Sequence, residues 1–324
     1  MCERLASGAM TRREFAKGAV AASLAAGTMH GDAHAGAAAD ADELVVRQRE
    51  IDEVTPADFA AYWMPGSLLA PGQLAEVTAK FPALARLEAA FEKVFREAQE
   101  TVVVDIDHPA IWYVYNMGVV VKTPKTLFSI DLHHRRAEEF APILDFALIT
   151  HNHNDHYTER FKNAMDAQQR KTVVNNFFDN YGVHNWKRDG GYTRERGKAF
   201  RLGDVEVVAG LCDHNYYLVD YTTPFEVRIG NFTLLHSGDC SNYVKLDVSR
   251  PPDMWIMHPR NWMDAVEACK EKVRPKLAVV AHLQELGHAK GRARWTYSDG
   301  LSEKARIEKA GFAAIMPLWG ERLA

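Results

Sequence analysis

The sequence is short of several things, and each shortage closes off a class of protein. It has four cysteines, Cys2, Cys212, Cys240 and Cys269, too few for a disulfide framework. It has no apolar run fit to span a bilayer; the weakly apolar stretch from Gly18 to Gly27 is too short. No Lys/Arg block carries interleaved aromatics and the formal net charge is −4, so nucleic acid is not expected as a partner. No tract is biased enough to suggest disorder, and no internal repeat recurs at a fixed period. What is there is 47% hydrophobic and 25% charged, with seven Trp and fifteen Phe. That suffices for a substantial core, in one large domain or two ordinary ones over 324 residues.

The beginning of the chain reads as something other than core. Paired arginines in "TRREFAK", Thr11 to Lys17, precede an Ala-rich run and the small-residue site Ala33 to Ala35. The stretch resembles the twin-arginine export signal, whose pattern Ser/Thr-Arg-Arg-x-Phe-x-Lys is matched by Arg12, Arg13, Phe15 and Lys17. The alternative is an amphipathic N-terminal helix that stays attached. The resemblance implies a signal peptide over 1–35, the twin-arginine translocation machinery as a partner, and a periplasmic or secreted location. Without residues 1–35 the charge balance becomes about −5. Three cysteines then remain, allowing one disulfide at most and leaving a thiol over.

From 36 to 100 the pattern is helical. Thr55 is placed as an N-cap with Pro56 at the first helical position. In "PALARLEAAFEKVFREAQE" Leu84, Leu87, Phe91 and Phe95 share one face. This region is either a cap that shapes a pocket or an extension packed on the outside. At Thr101 the period changes to short β-branched and aromatic runs: "TVVVDI", "AIWYVYNMG", "GVVVKT" and "TLFSIDL". Hairpins are expected about Pro124–Lys125 and Gly230–Asn231, and two strands about Gly203–Asp204. Strand pairs early and late, with helices between them, describe a layered α/β domain.

The chemistry sits in "FALITHNHNDHYTERF", Phe146 to Phe161. A buried strand, Phe146 to Ile149, ends in His151, His153, Asp155 and His156, and a helix follows. Three imidazoles and a carboxylate within six residues converge on one volume, and a divalent metal is the simplest occupant. Later strands end in His214 (after "VEVVAG"), Asp239 (in "LLHSGD") and His282 (closing "KLAVVAH").

This order resembles the metallo-β-lactamase superfamily over 101–324. The resemblance implies an αββα four-layer sandwich, here with an N-terminal helical extension, and metals held by loops along one edge of the two sheets. It implies that His151, His153 and His214 hold a first ion, that Asp155, His156 and His282 hold a second, and that Asp239 bridges them. His288 competes with His282 for the last position. Cys212 and Cys240 flank two of these positions and read as small packing residues or as a disulfide beside the site. His236 reads as a donor behind a ligand or a plain strand residue, and His258 as pocket-lining or structural. Trp112, Tyr115, Asn116, Tyr216, Tyr217 and Arg260 lie near elements that could face the metals, with core packing the alternative for most.

The donors suit Zn²⁺, with Mn²⁺ and Fe²⁺ as alternatives. Two ions about 3.5–4 Å apart share a water, lower its pKa and hold it as hydroxide. Asp155 or Asp239 then orients it or relays the proton. The expectation is a metal-dependent hydrolase of a small ester, lactone or phosphoester. The superfamily's frequent pair of glycines after the motif is replaced by "YTERF", Tyr157 to Phe161, which looks closer to the ascorbate-6-phosphate lactonase-like group. The rival readings are a di-iron oxidoreductase of the same fold and a non-catalytic metal-binding protein. Diiron relatives commonly carry a carboxylate where this chain has His153.

Overall fold

The computed structural model describes residues 41–63, 71–174, 198–214, 218, 221–246, 248–259 and 264–324. The expected export signal, Tyr216, Tyr217 and Arg260 lie outside them.

Four helices come first: α1 (Ala41–Asp52), α2 (Pro56–Tyr62), α3 (Pro71–Lys80) and α4 (Pro82–Glu100). α2 starts where its residues dictate. Thr55 Oγ1 accepts from the Asp58 amide at 3.1 Å, and the Asp58 carboxylate accepts from the Thr55 amide at 3.2 Å, with Pro56 supplying a pre-set φ. α4 buries Leu84, Leu87 and Phe91 against the first two strands of the sheet that follows.

That sheet has five strands in the order β1 (Ala110–Tyr115), β2 (Gly118–Lys122), β3 (Leu127–Ile130), β4 (Phe146–Ile149) and β5 (Lys171–Val174). The first three pair antiparallel through tight turns; β3, β4 and β5 are parallel. The β3–β4 link carries a single 3₁₀ turn, Ala137–Phe140, and the β4–β5 link carries the metal-type motif and α5 (Glu159–Ala167). The second sheet runs, edge to edge, β12 (Ala313–Ile315), β11 (Leu277–Val280), β10 (Met254–Met257), β9 (Phe232–His236), β8 (Phe225–Ile229), β7 (Val205–Ala209) and β6 (Lys198–Leu202). Its β9–β12 half is parallel and its β6–β9 half antiparallel.

Alternation along the parallel strands sets the layers. Leu234, Ile256 and Val279 join the core shared with the first sheet. Their neighbours Leu235, Trp255, Ala278 and Val280 join a second core with Ala265 and Ala268 of α6 (Ala265–Ala268) and Ile307 of α7 (Tyr297–Lys309). A strand buried on both faces is what a parallel sheet between two layers requires. The result is an α/β sandwich of two mixed sheets with helices outside, as expected. No helix among the described residues is long and apolar enough to cross a membrane.

One expected strand does not form. Residues 101–105 take no strand or bridge, with Val102 and Val104 81% and 87% exposed. The open edge of β1 is instead taken by the C-terminal segment: Tyr113 N donates to Glu321 O at 2.8 Å and Leu323 N to Ile111 O at 2.7 Å. Trp112, a pocket candidate by sequence, belongs to the core beneath α4, where its Nε1 donates to Glu97 at 2.9 Å. The N-terminal region packs against the rest of the chain in two places. α4 covers the outer face of the first sheet, whereas α1 and α2 reach the loop after His282: Gln48 Oε1 accepts from Gln284 Nε2 at 2.5 Å, and Arg294 Nη1 donates to Val54 O at 2.8 Å.

Candidate metal centre

Strands of both sheets end at one edge of the sandwich, and the chain leaves four of them through left-handed backbone. Asn116 after β1 (φ 56°), Asp131 after β3 (φ 48°), Gly238 after β9 (φ 53°) and His282 after β11 (φ 53°) all take positive φ. Non-glycine residues rarely adopt it, and such positions gather where a site over-determines the backbone. Gly238 has no alternative: a Cβ there would lie 2.6 Å from Thr150 Oγ1 and 2.7 Å from its Cβ. Gly238→Ala is therefore expected to destabilise the fold by about 2–4 kcal/mol in denaturant unfolding, and to weaken metal retention through Thr150.

The edge gathers the predicted side chains into two groups. His151, His153 and His214 form one; Asp155, His156, Asp239 and His282 form the other, and within each the ligand atoms lie within 4.8 Å of one another. Asp239 touches both. Its Oδ2 is 3.9 Å from His151 Nε2 and 3.4 Å from His214 Nε2, and also 3.3 Å from His282 Nε2, while Oδ1 is 3.1 Å from His156 Nε2. Asp155 Oδ2 sits 3.5 Å from His156 Nε2 and 3.3 Å from His282 Nε2.

The donor set fits divalent cations. His151 Nε2, His156 Nε2, His282 Nε2 and Asp239 Oδ1 are buried with no hydrogen-bond partner. Buried polar atoms aimed at one another without partners are costly, and a shared cation satisfies them together. The electrostatics divide the groups. Burial holds His151 well below its ordinary pKa and takes His153 down to about 4, which favours the neutral, ligating form of those two rings. In the second group burial opposes charge, but pairing outweighs it. Asp239, Asp155 and Asp131 push His156 well upward, Asp239 and Asp155 take His282 up to about 10, and both ligand carboxylates lie well below the usual range. A cation held there would take the place of those protons.

Behind the groups stands a residue the sequence reading missed. Asp131 is fully buried and accepts from Thr150 N at 2.7 Å, Thr150 Oγ1 at 2.7 Å and His156 Nδ1 at 2.9 Å. The last bond fixes the tautomer that leaves Nε2 of His156 free to ligate. A strand ending in Asp, "LFSID", follows the same pattern as the strand ending in Gly238–Asp239, and that was the available signal. Asn116 holds Asp155 through its carbonyl and its carboxylate, at 3.0 and 3.3 Å.

The remaining sequence candidates separate cleanly. His282 joins the second group, whereas His288 turns to Glu285, donating Nδ1 to its carboxylate at 2.5 Å. His236 donates Nε2 to Met117 O at 2.8 Å and accepts at Nδ1 from Gly238 N at 3.3 Å, a strand residue tied to its own turn. His258 lies with its ring 4.6 Å from that of His282. Tyr115 donates a 3.3 Å bond to Glu285 and is buried. Cys212 and Cys240 form a disulfide, while Cys269 is a buried free thiol; the pair are not small packing residues.

His133 is also close by, stacked on Trp63 with centroids 4.2 Å apart and 2% exposed. Burial lowers it from 6.5 to about 4, against the pull of Asp155 and Glu285. Its folded pKa is below its unfolded one, so its contribution is complete above pH 6.5 and is lost as pH falls toward 4. In unfolding experiments His133→Phe is expected to lose about 2 kcal/mol less than wild type between pH 7 and 5.

No family model matches the sequence, and no curated protein matches it. Solved structures do match in fold. CmlA, a diiron β-hydroxylase from Streptomyces venezuelae, is 18% identical at TM-score 0.51, covering 79% of this chain and 60% of its own. This chain thus spans less than two thirds of CmlA. Igni18, a metallo hydrolase from Ignicoccus hospitalis, is 17% identical at TM-score 0.51, covering 66% of this chain and 97% of its own. YhfI of Bacillus subtilis, a metallo-β-lactamase fold protein, is 13% identical at TM-score 0.47, covering 66% of this chain and 98% of its own. The chain shares its α/β fold with CmlA and Igni18 and carries, at its sheet edge, His/Asp groups suited to divalent metal.

Proposed function

We propose that this protein is a metal-dependent hydrolase of small esters, lactones or phosphoesters, working with two divalent ions, Zn²⁺ first and Mn²⁺ or Fe²⁺ as alternatives. One observation carries the reading: the Asp239 carboxylate stands within 3.1–3.9 Å of ring nitrogens from four histidines, two in each group. His151, His153 and His214 would hold one ion, Asp155, His156 and His282 the other, and Asp239 both. Ions so held supply Lewis acidity, which polarises the scissile bond and makes water acidic enough to attack at neutral pH.

The rest is done by the chain. Asp131 keeps His156 in its ligating tautomer. Asn116 pins Asp155 by Oδ2, and Asp155 or Asp239 would orient the attacking water or relay its proton. His153 and His214 are the partly open members, so substrate enters on the side of the first group. No serine or cysteine nucleophile is called for. Replacement of the two glycines by Tyr157–Phe161 puts lactones ahead of β-lactams as substrates.

The disulfide between Cys212 and Cys240 supports the exported location that the twin-arginine resemblance implies, because such bonds persist in oxidising compartments. The test is a panel of lactones, phosphomonoesters, phosphodiesters and β-lactams, run on metal-analysed protein. Hydrolysis lost to chelation and restored by Zn²⁺ or Mn²⁺ supports the reading. Dioxygen consumption by iron-loaded protein, with no hydrolysis on any metal, replaces it with the di-iron oxidoreductase.

A further inference from the structure

We infer that the Cys212–Cys240 disulfide is a positioning device for the metal centre, holding His214 against Asp239 so that the first ion group depends on that bond being intact. The inference rests on the two-ion reading above. The bond joins two segments 28 residues apart in sequence, with Cα atoms 5.5 Å apart, and both cysteines are fully buried. Cys212 stands two residues before His214, and Cys240 directly follows Asp239. The bond thus links the backbones that carry those two side chains, whose ligand atoms are 3.4 Å apart.

His214 reaches the site on a segment separate from those of the other members. His151, His153, Asp155 and His156 share one loop that opens directly from β4, and Asp131 and Asn116 brace it from behind. His282 is two residues past β11 and its amide donates to Asn116 O at 2.8 Å. His214 comes five residues after β7 ends at Ala209. The bonds that hold its segment include one from its own amide to Leu218 O at 3.0 Å, a Cys212–Thr222 backbone pair at 2.9 Å and those of Asp213. That carboxylate accepts from Asn242 Nδ2 at 3.0 Å and Lys245 Nζ at 2.7 Å, and its carbonyl from Ser241 N at 2.8 Å. These polar bonds reach the segment beyond Asp239 and are enough to keep the loops together. They do not set the His214–Asp239 spacing as a covalent link beside both residues does, and a metal site needs that spacing held within a few tenths of an ångström.

Zn²⁺ titration against a chromophoric chelator, with elemental analysis after desalting, tests this on the full chain. Wild type is expected to retain two ions. The Cys212→Ser/Cys240→Ser double variant is expected to bind one ion as wild type does and the other at least about ten-fold more weakly, the scale on which supports behind metal ligands act. Cys269→Ser, which removes the buried free thiol outside the bond, should bind as wild type. Unchanged affinity at both groups in a folded double variant overturns the inference. So does an equal loss at both groups, the signature of a bond that merely braces the fold. Should the double variant not fold, native wild type reduced by a phosphine gives the same readout. Phosphine and water yield two thiols and phosphine oxide, and a thiol count verifies the reduction. A wild type that binds fewer than two ions removes the two-ion reading itself, and this inference with it.

Discussion

Asp239→Asn is expected to lower turnover of whichever substrate the protein hydrolyses by at least about 10³-fold and to reduce metal retention at both groups. Its carboxylate lies within 3.9 Å of histidines of both groups, so neutralising it weakens two ions at once. A thousand-fold loss corresponds to about 4 kcal/mol of transition-state stabilisation, within what charge removal from a two-metal site costs. The check is kcat on the responsive substrate alongside elemental analysis. His151→Ala, by contrast, should empty the first group preferentially, because Asp155, His156 and His282 remain with Asp239. Turnover in Asp239→Asn equal to wild type would refute the bridging role.

Asp131→Asn is expected to lower metal affinity at the second group by about 10–100-fold, although Asp131 lies outside both groups. The amide oxygen of Asn can still accept from Thr150 N. Its NH₂ group, placed where Asp131 Oδ2 now accepts from His156 Nδ1 at 2.9 Å, would meet a donor with a donor. His156 relieves the clash by moving its proton to Nε2, the nitrogen that faces Asp155 and Asp239, and thereby loses its ligating lone pair. Zn²⁺ affinity read per group detects the change, and imidazole ¹⁵N shifts of the metal-free variant report the tautomer. Asp131→Ala differs: it strands the Thr150 amide and leaves the Thr150 hydroxyl with His151 Nδ1 at 3.0 Å as its remaining partner, so it should also lose about 2 kcal/mol of stability.

Much of this architecture is legible in residue order because strand ends and metal donors coincide. The run Phe146–Ile149, the two hairpin turns and the Thr55 cap depend on local chemistry, and they appear in the structure where local chemistry puts them. The same holds for the convergence of His151, His153, Asp155 and His156, which a single loop ensures. Other features depend on partners that a local pattern does not name. "TVVVDI" has strand composition, yet the C-terminal segment occupies the edge it would have joined. Asp131 looks like any strand-terminal acid until β3 and β4 are paired and Thr150 and His156 fall onto it. His282 and His288 are equivalent by type; left-handed backbone at His282 and capture of His288 by Glu285 separate them. The cysteine pair becomes meaningful only when the ends of β7 and β9 are seen to meet at one ion site.

The central claim is that one carboxylate joins two metal groups into a single hydrolytic centre. Its most direct test is stoichiometric: titrate metal-free protein with Zn²⁺, and follow both bound metal and hydrolysis of the responsive substrate. Two tightly bound ions per chain in wild type, with loss of tight binding and of hydrolysis in Asp239→Asn, is the predicted result. A single tight ion in wild type, or an Asp239→Asn protein that keeps two ions and full hydrolysis, would contradict it.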